Sequence, residues 1–201
     1  MAVTPKQFEE MQKRMARPKR APAPVFASNS RPGAAQEIII GIDPSLRGTG
    51  WGVIRTGKTQ AEALAHGTIL CPATWERSRC LLRISQTIRE VIARHRPVVC
   101  AIEGLFYAQN LQTALIMGEA RGAALAALAE TGLEIYEIAP RKVKQAIVGY
   151  GAAQKAAVAK MVQRLLRLAE PPAPDAADAL AIALAYSHER GRFGLATPKR
   201  V

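Results

Sequence analysis

Aspartate is scarce in this 201-residue chain: Asp43, Asp175 and Asp178 are the only three, against 13 glutamates. The acidic surface is therefore built from glutamate. A reason for aspartate at those three places is geometric, because a short carboxylate holds its position better than a long one. The three are expected to share a site. Cysteine is scarce as well: Cys71, Cys80 and Cys100 are odd in number and lack CxxC spacing, which excludes a disulfide framework and a zinc site. His66, His95 and His188 lie far apart and make no ligand pair. No apolar run approaches the ~20 residues that span a bilayer, and no signal-peptide pattern opens the chain. A soluble, unexported protein is expected.

Positive charge is plentiful. The formal net charge is +12, from 28 Lys and Arg against 16 Asp and Glu. Residues 1–36 hold seven basic and two acidic groups, and the remainder is basic as well. Such a balance favours a polyanionic partner, with solubility as the plainer explanation. Beyond Arg20 the first segment runs APAPVFASNSRPG, so residues 1–36 are expected to be a disordered basic extension. It either adds nonspecific phosphate contacts or is dispensable. Glu9 and Glu10 argue against an organellar transit peptide.

The stretch IIIGIDPSLRGTGWGVIRT, residues 38–56, organises the rest. Its β-branched run predicts a strand buried on both faces that ends on Asp43, where Pro44 closes it. Ser45 to Gly50 then turns the chain into a second strand from Trp51. Glu62 to Leu70 reads as a third strand. Residues 74–95 read as an amphipathic helix with Thr74 as N-cap and Pro97 beyond its end. Val98 to Ile102 is again a buried strand, finishing on Glu103. An Ala-rich helix over 109–131 follows, and Gly118, Gly122, Ala123, Ala126 and Ala127 give it a smooth face for its own sheet, another helix or a second subunit. A strand over 133–138, a short helix after Pro140, an amphipathic helix over 152–168 and a last helix from Asp175 to Tyr186 complete the domain. The pattern is α/β, with an antiparallel hairpin on one side of a sheet and parallel crossovers beyond. The division expected is 1–36 extension, 37–190 domain, 191–201 basic fray.

Asp43 alone is either a turn cap or a cation ligand. Asp175 and Asp178 bear on the question: a helix cap accounts for Asp175 and leaves Asp178 over. Three residues apart on a helix, they share one face with Cβ atoms ~5–6 Å apart. The rest of that helix, Ala176 to Leu184, is apolar and must be buried. Two like charges there repel, and the helix dipole offsets only ~0.3–1 kcal/mol each. A divalent cation removes the difficulty. Asp43, Glu103, Asp175 and Asp178, from three elements, are what a two-metal phosphodiester site requires, with Mg²⁺ ions ~3.5–4 Å apart. The basic surface supplies the polyanionic substrate.

The motifs GIDPSLRGTGWGVI, AIEGLFYAQN, GEARG, APRKVKQAIVGYGAAQK and DAADALAIALA stand in the order and spacing of a known family. The chain resembles the RuvC family of Holliday junction resolvases, over residues 38 to about 188. The resemblance implies a ribonuclease H-like fold and a nuclease that resolves four-way DNA junctions in recombination and repair. It implies a catalytic quartet of Asp43, Glu103, Asp175 and Asp178 binding two Mg²⁺, with Mn²⁺ able to substitute. Lys155 would stand near the scissile phosphate and Lys144 on DNA backbone, with Arg141, Asn110 and Tyr107 as further DNA contacts. Phe106 matches an aromatic that stacks on junction bases. Family members are cytoplasmic homodimers that nick two strands symmetrically and work with a junction-binding protein and a hexameric branch-migration ATPase, of RuvA and RuvB type. Departures occur at Ser45, where the family usually has Gly, at Gly104, commonly Gln, and at Gln109, frequently basic. They bear on cleavage preference more than on chemistry.

Three other classes fit less well. An actin-like or sugar-kinase-like ATPase opens similarly but needs a second such domain and a second phosphate loop. An RNA-processing nuclease of the same fold is disfavoured by the intact GEARG and VKQ motifs. A noncatalytic junction-binding module predicts erosion of the carboxylates, and all four are present.

Overall fold

The computed structural model describes residues 36–104, 110–190 and 198–201. Within them lie six strands and five helices: β1 (Ile38–Asp43), β2 (Gly48–Arg55), β3 (Glu62–Leu70), α1 (Arg77–His95), β4 (Val99–Glu103), α2 (Leu111–Ala129), β5 (Glu134–Ile138), α3 (Pro140–Val148), α4 (Lys155–Leu165), α5 (Pro174–Arg190) and β6 (Lys199–Arg200). The strands form one mixed sheet in the order β3-β2-β1-β4-β5-β6. β1 pairs antiparallel with β2 and parallel with β4, and β4 pairs parallel with β5. This is the predicted hairpin with crossovers beyond it.

Both faces of the sheet are covered, and strand alternation sorts the side chains between them. Ile39, Ile54, Val99, Ala101 and Ile138 pack with α3, α4 and α5. Ile40, Ile42, Val53, Cys100, Ile102 and Ile135 pack with α1 and α2. Counting by twos from Ile39 reaches Asp43, and from Val99 reaches Glu103. Both strand-end carboxylates thus fall on the α5 side. By the same count from Ile135, Glu137 falls on the α2 side.

Helix α5 is apolar nearly all round, with Ala176, Ala177 and every residue from Ala179 to Tyr186 buried. Such a helix belongs in an interior. It lies directly on the strands because β1 and β2 offer glycines beneath it. A Cβ at Gly41 would collide with the main-chain oxygen of Ala179, and one at Gly50 with that of Asp175. Gly50 sits opposite Asp43 in the hairpin register, so this close approach sets the start of α5 beside the end of β1. Gly50→Ala is expected to lower stability by about 1–3 kcal/mol, the usual range for an overpacked core. Thermal unfolding would show it as a fall of ~2–4 °C per kcal/mol.

Several boundaries differ from the sequence reading. Helix α1 begins at Arg77 with Glu76 at the N-cap position and no side-chain cap bond. The predicted cap, Thr74, is displaced because Trp75 N–H is already bonded to the Pro72 carbonyl in a turn. β2 starts at Gly48, three residues earlier than expected, because Thr49 closes the turn inside the ladder: its hydroxyl donates to the Ser45 carbonyl and accepts from the Ser45 N–H. Of the expected extension and fray, residues 1–35 and 191–197 lie outside the described residues. Lys199–Arg200 pairs antiparallel with β5, and Arg200 meets Glu134 at 3.2 Å. Among the described residues no helix is long and apolar enough to cross a membrane.

Candidate active site

Asp43 is the last residue of β1 and Glu103 the last of β4. The two strands are parallel neighbours, so their ends lie side by side. Asp175 and Asp178 lie in the opening turns of α5, which the glycines of β1 and β2 admit to the same end of the sheet. The carboxylate of Asp175 rests against Gly48, where an added Cβ would stand 2.8 Å from Oδ2. The four predicted carboxylates are thereby gathered from three elements, with Asp43 feeling all the others.

Their electrostatics show the strain of that gathering. Burial pushes the Glu103 carboxyl up to about 8, helped by the charge and hydrogen bond of Asp43 and by the charge of Asp178. Burial likewise raises Asp43, against the lowering effect of its hydrogen bond with Glu103. Both carboxyls are thus pushed toward the protonated form, and the two titrate as a coupled pair.

Lys155, the first residue of α4, brings its ammonium within 2.7 Å of Asp178 Oδ2. This hydrogen bond raises the lysine above its ordinary range, and Asp43 and Glu103 add to it through their charges. The lysine side chain is 74% exposed while that of Asp178 is 19% exposed, so the cation reaches in from solvent. Among the described residues no three acidic, histidine or cysteine side chains form a ready-made cation cage. The donor set nonetheless fits a hard divalent ion: all its groups are carboxylate oxygens, two of them raised by burial that a metal charge would offset, and a lysine cation already sits in their field. Mg²⁺ retains several waters and is held by few protein ligands, so it does not need a closed cage.

The other predicted residues are spread more widely. Asn110 caps α2, its Oδ1 accepting from the Gln112 N–H at 2.8 Å. Arg141 and Lys144 lie on α3, which packs on α5; Arg141 is exposed and Lys144 partly so. Phe106 and Tyr107, with Gln109, lie outside the described residues. Two groups behind the end of β4, Arg121 and Glu137, have no role in the sequence reading. Arg121 is the one buried charged side chain among the described residues, at 6% exposure. It donates to the Glu103 carbonyl at 2.6 Å and pairs with Glu137. A signal for it does exist: Arg121 is the single basic residue in the Ala-rich stretch 110–131.

Comparison with known proteins bears on the family and the fold. A family model described as "Crossover junction endodeoxyribonuclease RuvC" matches residues 39–186. A protein of that name from Pseudomonas putida (strain GB-1) is 45% identical over 166 residues, covering 81% of this chain and 95% of its own. One from Akkermansia muciniphila is 46% identical over 148 residues, covering 74% of this chain and 89% of its own. Among solved structures, Thermus thermophilus RuvC in complex with Holliday junction substrate aligns with a TM-score of 0.75 at 35% identity, over 82% of this chain and 99% of that one. At 13% identity the yeast mitochondrial resolvase Ydc2 shares the fold, with a TM-score of 0.57. The family model spans most of the chain and relatives 45–46% identical cover 74–81% of it, so the chain belongs to the RuvC family of crossover junction endodeoxyribonucleases, with its ribonuclease H-like fold.

Proposed function

We propose that this protein is a metal-dependent, structure-selective endonuclease that resolves four-way DNA junctions by paired symmetric nicks. The observation that carries the reading is the gathering of Asp43, Glu103, Asp175 and Asp178 at one end of the sheet, beside Lys155. These four carboxylates would hold the divalent cations, Mg²⁺ or in its place Mn²⁺. Two such ions, when bound, supply Lewis-acid stabilisation of the scissile phosphate and a water activated for attack. The chain's own groups do the rest. The strand ends fix Asp43 and Glu103 rigidly, and α5 fixes Asp175 and Asp178 against the sheet. Lys155, exposed along its length, exchanges its bond to Asp178 for the phosphate being cut. Lys144, Arg141 and Asn110 contact the DNA backbone around it, and Phe106 and Tyr107 stack on junction bases.

Paired nicks need two sites, and a second copy of this chain would supply the second. The outward face of α2 suits it. Leu111 and Leu115 are 77% and 59% exposed, and beside Gly118 and Gly122 nothing lies within 4 Å of where a Cβ would stand. Small and apolar residues on one open helix face allow two identical helices to approach closely about a two-fold axis. We place residues 37–190 as the nuclease domain behind a basic extension, acting in the cytoplasm with a junction-binding protein and a hexameric branch-migration ATPase of RuvA and RuvB type.

The test is incubation of the protein and Mg²⁺ with a mobile four-way junction, a linear duplex and a single-stranded RNA, with mass measured by light scattering. Paired nicks on the junction alone, by a dimer that Leu115→Glu dissociates into a form making single unpaired nicks, are expected. Binding without cleavage in either Mg²⁺ or Mn²⁺ would make the protein a binding module. Preference for RNA would move it to the RNA-processing relatives of the same fold.

A further inference from the structure

Arg121 is the group that the proposed chemistry leaves unexplained. A buried guanidinium is costly unless every donor is used and its charge is matched. Here one NH group donates to the main-chain oxygen of Glu103 at 2.6 Å and the other to Glu137 Oε2 at 2.5 Å. The two contacts differ in kind. Glu137 supplies the counter-charge, whereas the contact to Glu103 is to backbone, at the last residue of β4, on the opposite side of the sheet from the carboxylates. The Gly104 N–H bonds to the Ile138 carbonyl at 2.9 Å, and the Cβ missing from Gly104 would stand 3.1 Å from Glu137 Cγ. The end of β4 is therefore held from α2 and from β5 together, and the absent side chain at 104 leaves Glu137 room to reach the arginine.

We propose that Arg121 and Glu137 form a buried clamp that fixes the end of β4 and so aims the Glu103 carboxylate, making Arg121 a positioning residue for metal binding. This rests on the reading of Glu103 as a metal-holding carboxylate. The fork matters. Two fixed NH groups span backbone and carboxylate at once, and a lysine, a single point of charge, satisfies one of them at a time. Loosening the clamp leaves the carboxylate in place but frees its direction, which costs affinity for the cation before it costs the fold.

The experiment measures Mn²⁺ binding directly, by electron paramagnetic resonance titration of the full chain without DNA, beside thermal unfolding and junction cleavage as a function of Mg²⁺. Arg121→Lys is expected to raise the Mn²⁺ dissociation constant about tenfold, as loss of outer partners of metal ligands does, and to shift the half-saturating Mg²⁺ for cleavage equally, with activity restored at high metal. Glu137→Gln, which keeps the arginine and its bond to the Glu103 carbonyl, is expected to give a smaller shift in the same direction. It also serves as the second variant should Arg121→Lys fold poorly. Ile88→Val, a core change remote from the site, lowers the melting temperature and leaves Mn²⁺ affinity unchanged. The clamp is overturned if both site variants melt lower yet bind Mn²⁺ like the parent, or if Glu103→Gln itself leaves Mn²⁺ binding untouched. Failure of the parent to cut junctions would overturn the proposed function instead, and the Mn²⁺ titration would still decide the clamp.

Discussion

Asp43→Asn is expected to abolish junction cleavage, by ~10³-fold or more, while junction binding persists. Asparagine matches aspartate in size and leaves β1 and its hydrogen bond toward Glu103 possible, so the fold is spared. It removes one formal charge from the residue on which the other three carboxylates converge. A metal-held water and a stabilised leaving oxygen contribute several kcal/mol to such a reaction, and each ~1.4 kcal/mol lost is a factor of ten. On the proposed reading binding rests on other groups, the basic surface and the lysines of α3 and α4, and fewer negative charges at the site repel the phosphates less. Cleavage on a denaturing gel and a mobility-shift titration with the same junction separate the two effects. Parallel loss of binding and cleavage would mean that Asp43 supports structure and not chemistry.

Glu103→Gln is expected to make the metal-free protein more stable at pH 8, by ~1–3 kcal/mol, since each tenfold change in proton affinity is worth ~1.4 kcal/mol. Burial holds Glu103 at about 8 against an ordinary 4.5, so between those values the folded chain binds a proton the unfolded chain does not. Its contribution to stability is fully present below about pH 4.5 and is lost as pH rises through about 8. Asp43, also raised, pulls in the same direction. Glutamine donates the hydrogen bond to Asp43 without needing a proton, and so flattens the profile. Added Mg²⁺ favours the ionised pair, so the melting temperature of the parent rises more with metal at pH 8 than at pH 6. Thermal melts across pH 5 to 9, with and without Mg²⁺, read both. A parent profile that does not fall with pH in the absence of metal would refute the raised carboxyl of Glu103.

The candidate site was legible in the sequence because scarcity made it so. Three aspartates in an acidic complement of glutamate, two of them on an otherwise apolar helix, admit few structural explanations. Strand alternation then fixes the face of Asp43 and Glu103, since a period of two leaves a carboxylate at a strand end one side or the other. What the sequence hid is of another kind. Thr74 looked like a helix cap because local composition carries no record of the turn that occupies Trp75. Lys199 and Arg200 looked like a fray because pairing with β5 is a tertiary event of two residues. Arg121 stands in the GEARG motif, but its partners, the Glu103 carbonyl and Glu137, come from β4 and β5. Long-range partners of single side chains leave no period to read.

The glycine ledge under α5 carries a consequence for the order in which this protein comes into being. Asp43 and Asp175 are separated by about 130 residues of chain, and their meeting waits on the docking of α5 against β1 and β2. Contacts of such long sequence separation form late, after loop closure has been met by local structure. A nascent chain emerging N-terminus first therefore carries two of its four carboxylates on a sheet with no α5 to supply the others. On the proposed reading, hydrolytic capacity arrives in one step with the last helix, because a chain interrupted before residue 174 lacks Asp175 and Asp178.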